Sequence, residues 1–301
     1  MNYRHHYHAG NFADVMKHAV LVQLVRGMQR KEKGFLYLDT HAGRGAYDLA
    51  AADHGDTLER KPEHPDGIGR LLGEKTDAQN NPSVDATQET DPLREYIQLV
   101  RAFDRRCGNL EPDVLRIYPG SPSLVRALMR PQDRMALCEK HPDEFASLRG
   151  KFQREPRVSV HEIDGYTAIR AMLPPPEKRT LVLIDPPFEA QDEYEAITRA
   201  LREGLRRMPA ATFAVWYPLT ERARADDFLN RLAMLGPPPT FAAELTIAGE
   251  TSSLKMRGCG MAVINPPWQI DQTLAPMLDT LYQSLAQSPG GKATLDWIVR
   301  E

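Results

Sequence analysis

Short apolar or alternating runs bounded by turn residues recur along the chain at 35–39 (FLYLD), 135–138 (MALC), 158–163 (VSVHEI), 181–184 (LVLI), 212–216 (TFAVW), 241–247 (FAAELTI) and 260–264 (GMAVI). Each has the length and period of a strand rather than of a buried helix. Helical patterns separate the first five, which predicts an α/β fold built on a doubly wound, largely parallel sheet of seven strands. Ahead of the first strand, Asn11 is a candidate cap for a helix with Asp14 at capping-box spacing. Phe12, Val15, Met16 and Ala19 form the apolar stripe of that helix, and Gly34 is expected to end it.

The first two strands are separated by far more residues than one crossover helix needs. Residues 47–117 therefore read as an inserted, mainly helical subdomain, with its helix over 92–107 (PLREYIQLVRAFDRRC). Within it, 73–92 has almost no apolar residue to bury and is expected to be mobile. Residues 1–46 and 118–301 form the main domain on this reading.

Composition changes the picture only at its edges. With 301 residues, 42% hydrophobic and 26% charged, the chain can bury one substantial core. No apolar run approaches the roughly 20 residues of a membrane span, and the N-terminal residues hold no secretory apolar region, so the expectation is a cytoplasmic protein without a membrane partner. Cys107, Cys138 and Cys259 are far apart, which argues against a disulfide framework or a zinc site. Histidines 5, 6 and 8 have no Cys or carboxylate at ligand spacing among them, so no metal is expected. No exposed heptad pattern calls for a protein partner, and the expected state is a monomer. Net charge is −3, yet residues 1–34 carry a local balance of +4, a patch that suits phosphate contact or simply a solvated helix face.

The candidate chemistry sits in LVLIDPPF, residues 181–188. A buried strand stopped by Pro186-Pro187 presents the Asp185 carboxylate, the Pro186 carbonyl and the Phe188 ring at a sheet edge. An exocyclic amine on an aromatic base is a poor nucleophile because its lone pair is delocalised. Asp185 and the Pro186 carbonyl can accept both amine protons and favour a pyramidal nitrogen while Phe188 stacks on the base. Alone, the tetrapeptide reads equally well as a proline-capped strand end.

Other strand ends add to it. Asp39, His41, Gly43 and Gly45 follow the first strand as a glycine turn that lets backbone approach a ligand. Glu139 closes the second strand, placed for ribose hydroxyls, and Asp164-Gly165 closes the third, placed for a cofactor adenine. Each carboxylate by itself also fits a helix cap or a loop. His18 and His41 on their own read as hydrogen-bonded structural residues, and Ser121 as the cap of the next helix.

YRHxxHAGNxADVxKH near the start, LDTHAGxG after the first strand, YPGSP at 118–122, ExHP at 139–142, LIDPP at 183–187, a closing NPPW and a W-I-V near the C-terminus occur in that order. Almost end to end, the chain resembles the bacterial 23S ribosomal RNA adenine-N6 methyltransferase family of RlmJ type. The resemblance implies a Rossmann-like class I methyltransferase fold dependent on S-adenosylmethionine, with an antiparallel last strand. It implies that Lys17, His18, His41, Ser121, Glu139, Asp164, Gly165 and Asp185 contact the cofactor and that Asp185, with Pro186 and Phe188, is catalytic, its carboxylate the acceptor. It also implies that Tyr3, with Arg4 beside it, reaches the RNA. The substrate would be one adenine near the peptidyl-transferase region, in 23S ribosomal RNA before full assembly. Where the family carries tyrosine after Pro-Pro this chain has Phe188, so stacking survives and a hydroxyl contact does not. In such a sheet the seventh strand points its end away from the cofactor, which makes Asn265-Pro266-Pro267-Trp268 a structural copy of the motif. DNA adenine-N6 or protein glutamine-N5 methylation would use the same loop. A nicotinamide oxidoreductase gives the loop no role, and a silent RNA-binding protein would tolerate its loss.

Overall fold

The computed structural model describes residues 7–50, 61–73, 91–111 and 113–300. Tyr3, Arg4 and the interior of the polar stretch 73–92 lie outside the described residues. In chain order the elements begin with α1 (Phe12–Gln29), β1 (Leu36–Asp39), β2 (Ala46–Asp48), α2 (Ile68–Gly73), α3 (Pro92–Arg106) and β3 (Ile117–Pro119). They continue through α4 (Ser121–Leu128), β4 (Arg134–Glu139), α5 (Pro142–Phe152), β5 (Val158–Glu162), α6 (Gly165–Met172), β6 (Thr180–Ile184) and α7 (Glu193–Arg207). The last are β7 (Thr212–Pro218), α8 (Arg222–Met234), β8 (Thr240–Thr246), β9 (Gly258–Ile264), α9 (Ile270–Leu285) and β10 (Lys292–Val299).

One sheet runs β10-β8-β9-β7-β6-β1-β4-β5, and β2 with β3 makes a separate two-stranded ribbon. The pairs β5–β4, β4–β1, β1–β6 and β6–β7 are parallel, whereas β9 is antiparallel to both β7 and β8. The seven expected strands are all present in that order. The sheet nevertheless has eight strands among the described residues, a correction to the expected seven: β10 adds antiparallel to β8. Its sequence KATLDWIV alternates too weakly to announce a strand, because its side chains are only half-buried. The gain is backbone hydrogen bonding along an otherwise open edge, fastened by Trp297 against Phe241 with ring centroids 5.5 Å apart.

The sheet is covered on both faces, which is why β6 reads as unbroken apolar residues rather than an alternation. Leu181 and Leu183 face the core shared with α1, α4 and α9, and Val182 and Ile184 face the core shared with α6, α7 and α8. Helix α3 joins the first of these cores through Leu93, Tyr96 and Val100.

Helix α1 departs from the expected stripe. Every residue from Phe12 to Val25 is buried, because α1 is packed between the sheet and the helices α3, α4 and α9. Asn11 does cap it, accepting from the amides of Ala13 and Asp14 at 3.0 and 2.9 Å. The helix stops at Gln29, not Gly34. Its final carbonyls are taken by guanidinium groups, with Arg179 on Met28 at 2.7 Å and Arg130 on Gln29 at 3.0 Å. Gly34 is needed for a different reason: a Cβ there would sit 2.0 Å from the Gln132 carbonyl oxygen.

Candidate active site

The C-terminal ends of the parallel strands open into a cleft of ≈ 1060 Å³. Lys17, His18, His41, Ser121, Glu139, Asp164, Gly165, Asp185, Pro186 and Phe188 all line it. They come from five separate strand ends and one helix, a convergence that sheet topology creates at this edge and nowhere else. Asn265 lies at the opposite edge, its amide on the Pro239 carbonyl at 2.8 Å and its carbonyl accepting from Thr212 at 2.8 Å. The second Pro-Pro motif thus serves packing: Pro267 lies where a Cβ on Gly27 would meet it at 2.7 Å.

Asp185 leaves the buried strand β6 with its side chain 18% exposed, and its Oδ2 accepts from Lys17 Nζ at 2.6 Å. The same ammonium donates to Asp14 Oδ1 at 2.7 Å. Asp14 is fixed in turn by the Gly10 amide, which donates to its Oδ2 at 3.0 Å. Burial acts to lower the Lys17 pKa, but Asp14 and Asp185 outweigh it and hold it well above the usual value, so the ammonium stays charged. Two of its three N–H donors are used by carboxylates, leaving one for a ligand. On the other side of the loop, Phe188 holds a left-handed backbone, φ 51°. Its ring meets Tyr194 at 5.1 Å and Trp216 at 5.6 Å, while Lys17 Nζ lies 6.0 Å from the Trp216 ring. Arg224 covers the outer face of Tyr194 at 5.6 Å.

At the other end of the cleft the glycine turn follows β1. Gly43 (φ 56°) donates its amide to Glu139 Oε2 at 2.9 Å, and the His141 amide donates to Oε1 at 2.7 Å. Burial pushes the Glu139 carboxyl up, and these amides partly offset it. Glu139, the last residue of β4, is therefore a carboxylate that takes two loop amides and not a helix cap. Asp164 is a cap: its Oδ2 accepts from the Thr167 amide and hydroxyl, both at 2.9 Å. Gly165 begins α6 so close to β1 that a Cβ would meet the Thr40 carbonyl oxygen at 2.2 Å. Ser121 caps nothing; its hydroxyl donates to Asp39 Oδ2 at 2.7 Å. His41 is held by Thr40 Oγ1 at 2.8 Å and edge-on to Tyr166 at 5.3 Å, and burial pulls its pKa down to about 4.

Sequence reasoning placed Asp39 only within the glycine turn and assigned no role to Trp216, Tyr194 or Arg224. Asp39 is fully buried, and burial lifts its carboxyl to about 6 despite hydrogen bonds from Ser121 and Tyr37 that act to lower it. The signal was available, since Asp39 ends β1 as Glu139 ends β4. Trp216, near the end of β7 beside β6, was equally marked by its place. Tyr194 and Arg224 lie on helices whose approach to the cleft only packing decides.

A cofactor with a ribose diol fits this donor set. Glu139 offers carboxylate oxygens to hydroxyls, and His141, whose buried Nδ1 has no partner among the described residues, lines the same end. Gly43 and Gly165 keep the walls free of side chains.

Residues 32–299 match the family model described as "Ribosomal RNA large subunit methyltransferase D, RlmJ". The chain is 37% identical over 301 residues to ribosomal RNA large subunit methyltransferase J of Escherichia coli, covering 100% of both chains. The methyltransferase J of Haemophilus influenzae is 36% identical with the same coverage. The crystal structure of protein LPL1258 from Legionella pneumophila superposes with a TM-score of 0.80 at 33% identity, over 96% of this chain and 98% of that one. The order of its sheet, the composition of its cleft and these full-length likenesses agree: the chain belongs to the RlmJ family of ribosomal RNA large subunit methyltransferases, enzymes that take their methyl group from S-adenosylmethionine.

Proposed function

We propose that the protein methylates an adenine-N6 in 23S ribosomal RNA, acting as a monomer in the cytoplasm on RNA not yet fully assembled. The observation that carries this reading is the Asp185 carboxylate at the end of β6. Lys17 engages its Oδ2 at 2.6 Å, so Oδ1 and the Pro186 carbonyl are left to accept the two protons of a planar amine. Asp185 and Pro186 then draw the amine lone pair out of the ring, and the proton released on transfer passes toward Asp185.

Phe188, backed by Tyr194 and Trp216, supports a flipped base on its apolar face. In this role a phenylalanine stacks as a tyrosine does. Bound there, S-adenosylmethionine would supply an activated methyl on its sulfonium, leaving as the neutral thioether S-adenosylhomocysteine when the nitrogen takes it. Glu139 binds the ribose hydroxyls. Asp164, with Oδ2 spent on the cap, would offer Oδ1 to the cofactor adenine, and Gly165 would leave room for the same ring. His18, His41, Ser121 and the third Lys17 donor serve the remaining cofactor contacts, and Tyr3 and Arg4 meet the RNA. The protein contributes position and desolvation rather than a covalent intermediate.

The test is to incubate the chain with methyl-labelled cofactor and extract lacking the family enzyme. Label released by RNase and found in N6-methyladenosine of 23S RNA is expected. Label released by DNase or protease would replace this reading by a DNA adenine or protein glutamine one. Asp185→Ala should abolish transfer, a loss of at least roughly 100-fold, with cofactor still bound.

A further inference from the structure

We infer that Tyr118, bonded to Tyr96 behind it, fixes His18 in the tautomer that carries its proton on Nε2. His18 Nδ1 lies 2.7 Å from the Tyr118 hydroxyl, and that hydroxyl lies 2.8 Å from the Tyr96 hydroxyl. The three side chains come from α1, β3 and α3, and at 2%, 0% and 0% exposure none can exchange these bonds for bulk water. The distances leave the direction of each bond open, but counting protons decides it. Tyr96 has only Tyr118 as a hydrogen-bond partner among the described residues, so its proton is satisfied only when it is donated to the Tyr118 oxygen. The single proton of Tyr118 must then go to His18 Nδ1, which accepts it as a bare nitrogen. The reverse direction, from His18 through Tyr118 to Tyr96, strands the Tyr96 proton in the core and is disfavoured by roughly 5- to 150-fold in population. A doubly protonated imidazole strands it in the same way.

The consequence is a donor of fixed sign. His18 lines the cleft, and with Nδ1 committed to Tyr118 any bond it makes there is made by Nε2–H. Such a group suits a carboxylate or another acceptor and rejects a donor. Tyr118 is a positioning residue, acting through His18. That His18 then serves the methyl donor rests on the reading given under Proposed function; the tautomer does not.

The full chain, labelled with ¹⁵N-histidine, tests it by NMR without cofactor. An unprotonated Nδ1 and a protonated Nε2 on His18 are expected near neutral pH. Tyr118→Phe should release the ring to a mixture of tautomers, raise the Kd for S-adenosylhomocysteine by roughly 10-fold and raise KM for the methyl donor more than it lowers kcat. Tyr96→Phe should keep the tautomer, because Tyr118 still has only Nδ1 to donate to. A wild-type proton on Nδ1, or a tautomer unmoved by Tyr118→Phe, overturns the inference. The expected tautomers with unchanged cofactor affinity would uphold it and instead remove His18 from the cofactor site.

Discussion

Asp39→Asn should change how the stability of this protein depends on pH. Asp39 is 0% exposed at the end of β1. Burial lifts its carboxyl from 3.8 to about 6, while the Ser121 and Tyr37 hydroxyls act to lower it. Between those values the folded protein keeps a proton that the unfolded chain has released, so this group makes stability fall as pH rises from 3.8 to about 6. His41, two residues on, works in the opposite sense. Burial draws its pKa from 6.5 to about 4, so the unfolded chain holds the extra proton and stability rises with pH across that window. At about 1.4 kcal/mol for each tenfold in proton affinity, each effect is worth about 3 kcal/mol, and the two largely offset in the natural chain. His41 keeps some solvent contact, so its share is the smaller.

Asparagine retains an acceptor for the Tyr37 and Ser121 hydroxyls, both 2.7 Å from Asp39 Oδ2, and besides the titration gives up only the long bond from the His41 amide to Oδ1 at 3.4 Å, a loss that does not vary with pH. The unfolding free energy of the variant minus that of the natural chain should therefore climb by about 3 kcal/mol from pH 3.8 to pH 6. Urea unfolding followed by circular dichroism at half-unit steps, extrapolated linearly to water, measures that difference. Parallel profiles for the two chains would refute the reasoning, because they would mean that Asp39 titrates alike in the folded and unfolded states.

Two further substitutions address the ends of the cleft. Lys17→Met leaves the Asp14 and Asp185 carboxylates without their shared cation, so a loss of about 3–5 kcal/mol and a melting temperature lower by roughly 10 °C are expected; a scanning-calorimetry shift under 2 °C would contradict the pairing seen at 2.7 and 2.6 Å. Gly165→Ala places a Cβ 2.2 Å from the Thr40 carbonyl and should push α6 off β1, costing about 1–3 kcal/mol and weakening S-adenosylhomocysteine binding at least roughly 10-fold in titration calorimetry. Unchanged affinity would show that the start of α6 does not border the cofactor.

The sequence by itself determined where the parallel strands lie along the chain, because each is a short apolar run that only a two-sided sheet can bury. It also determined which residues stand at their ends, since a carboxylate or glycine directly after such a run can go nowhere but the edge. That is why Glu139, Asp164, Gly165 and Asp185 could be named before any geometry, and why the second Pro-Pro motif could be set aside by strand direction. Strand β10 escaped notice because an edge strand gains its place from backbone hydrogen bonds, which leave little trace in side-chain pattern. Tertiary structure alone decided the partners. Lys17 lies 168 positions from Asp185, and Tyr118 lies 100 positions from His18. Nothing local in the chain specifies pairs at such separations; they exist because α1 is packed into the centre of the molecule, where a lysine and a histidine must find buried partners or bear the full penalty of desolvation.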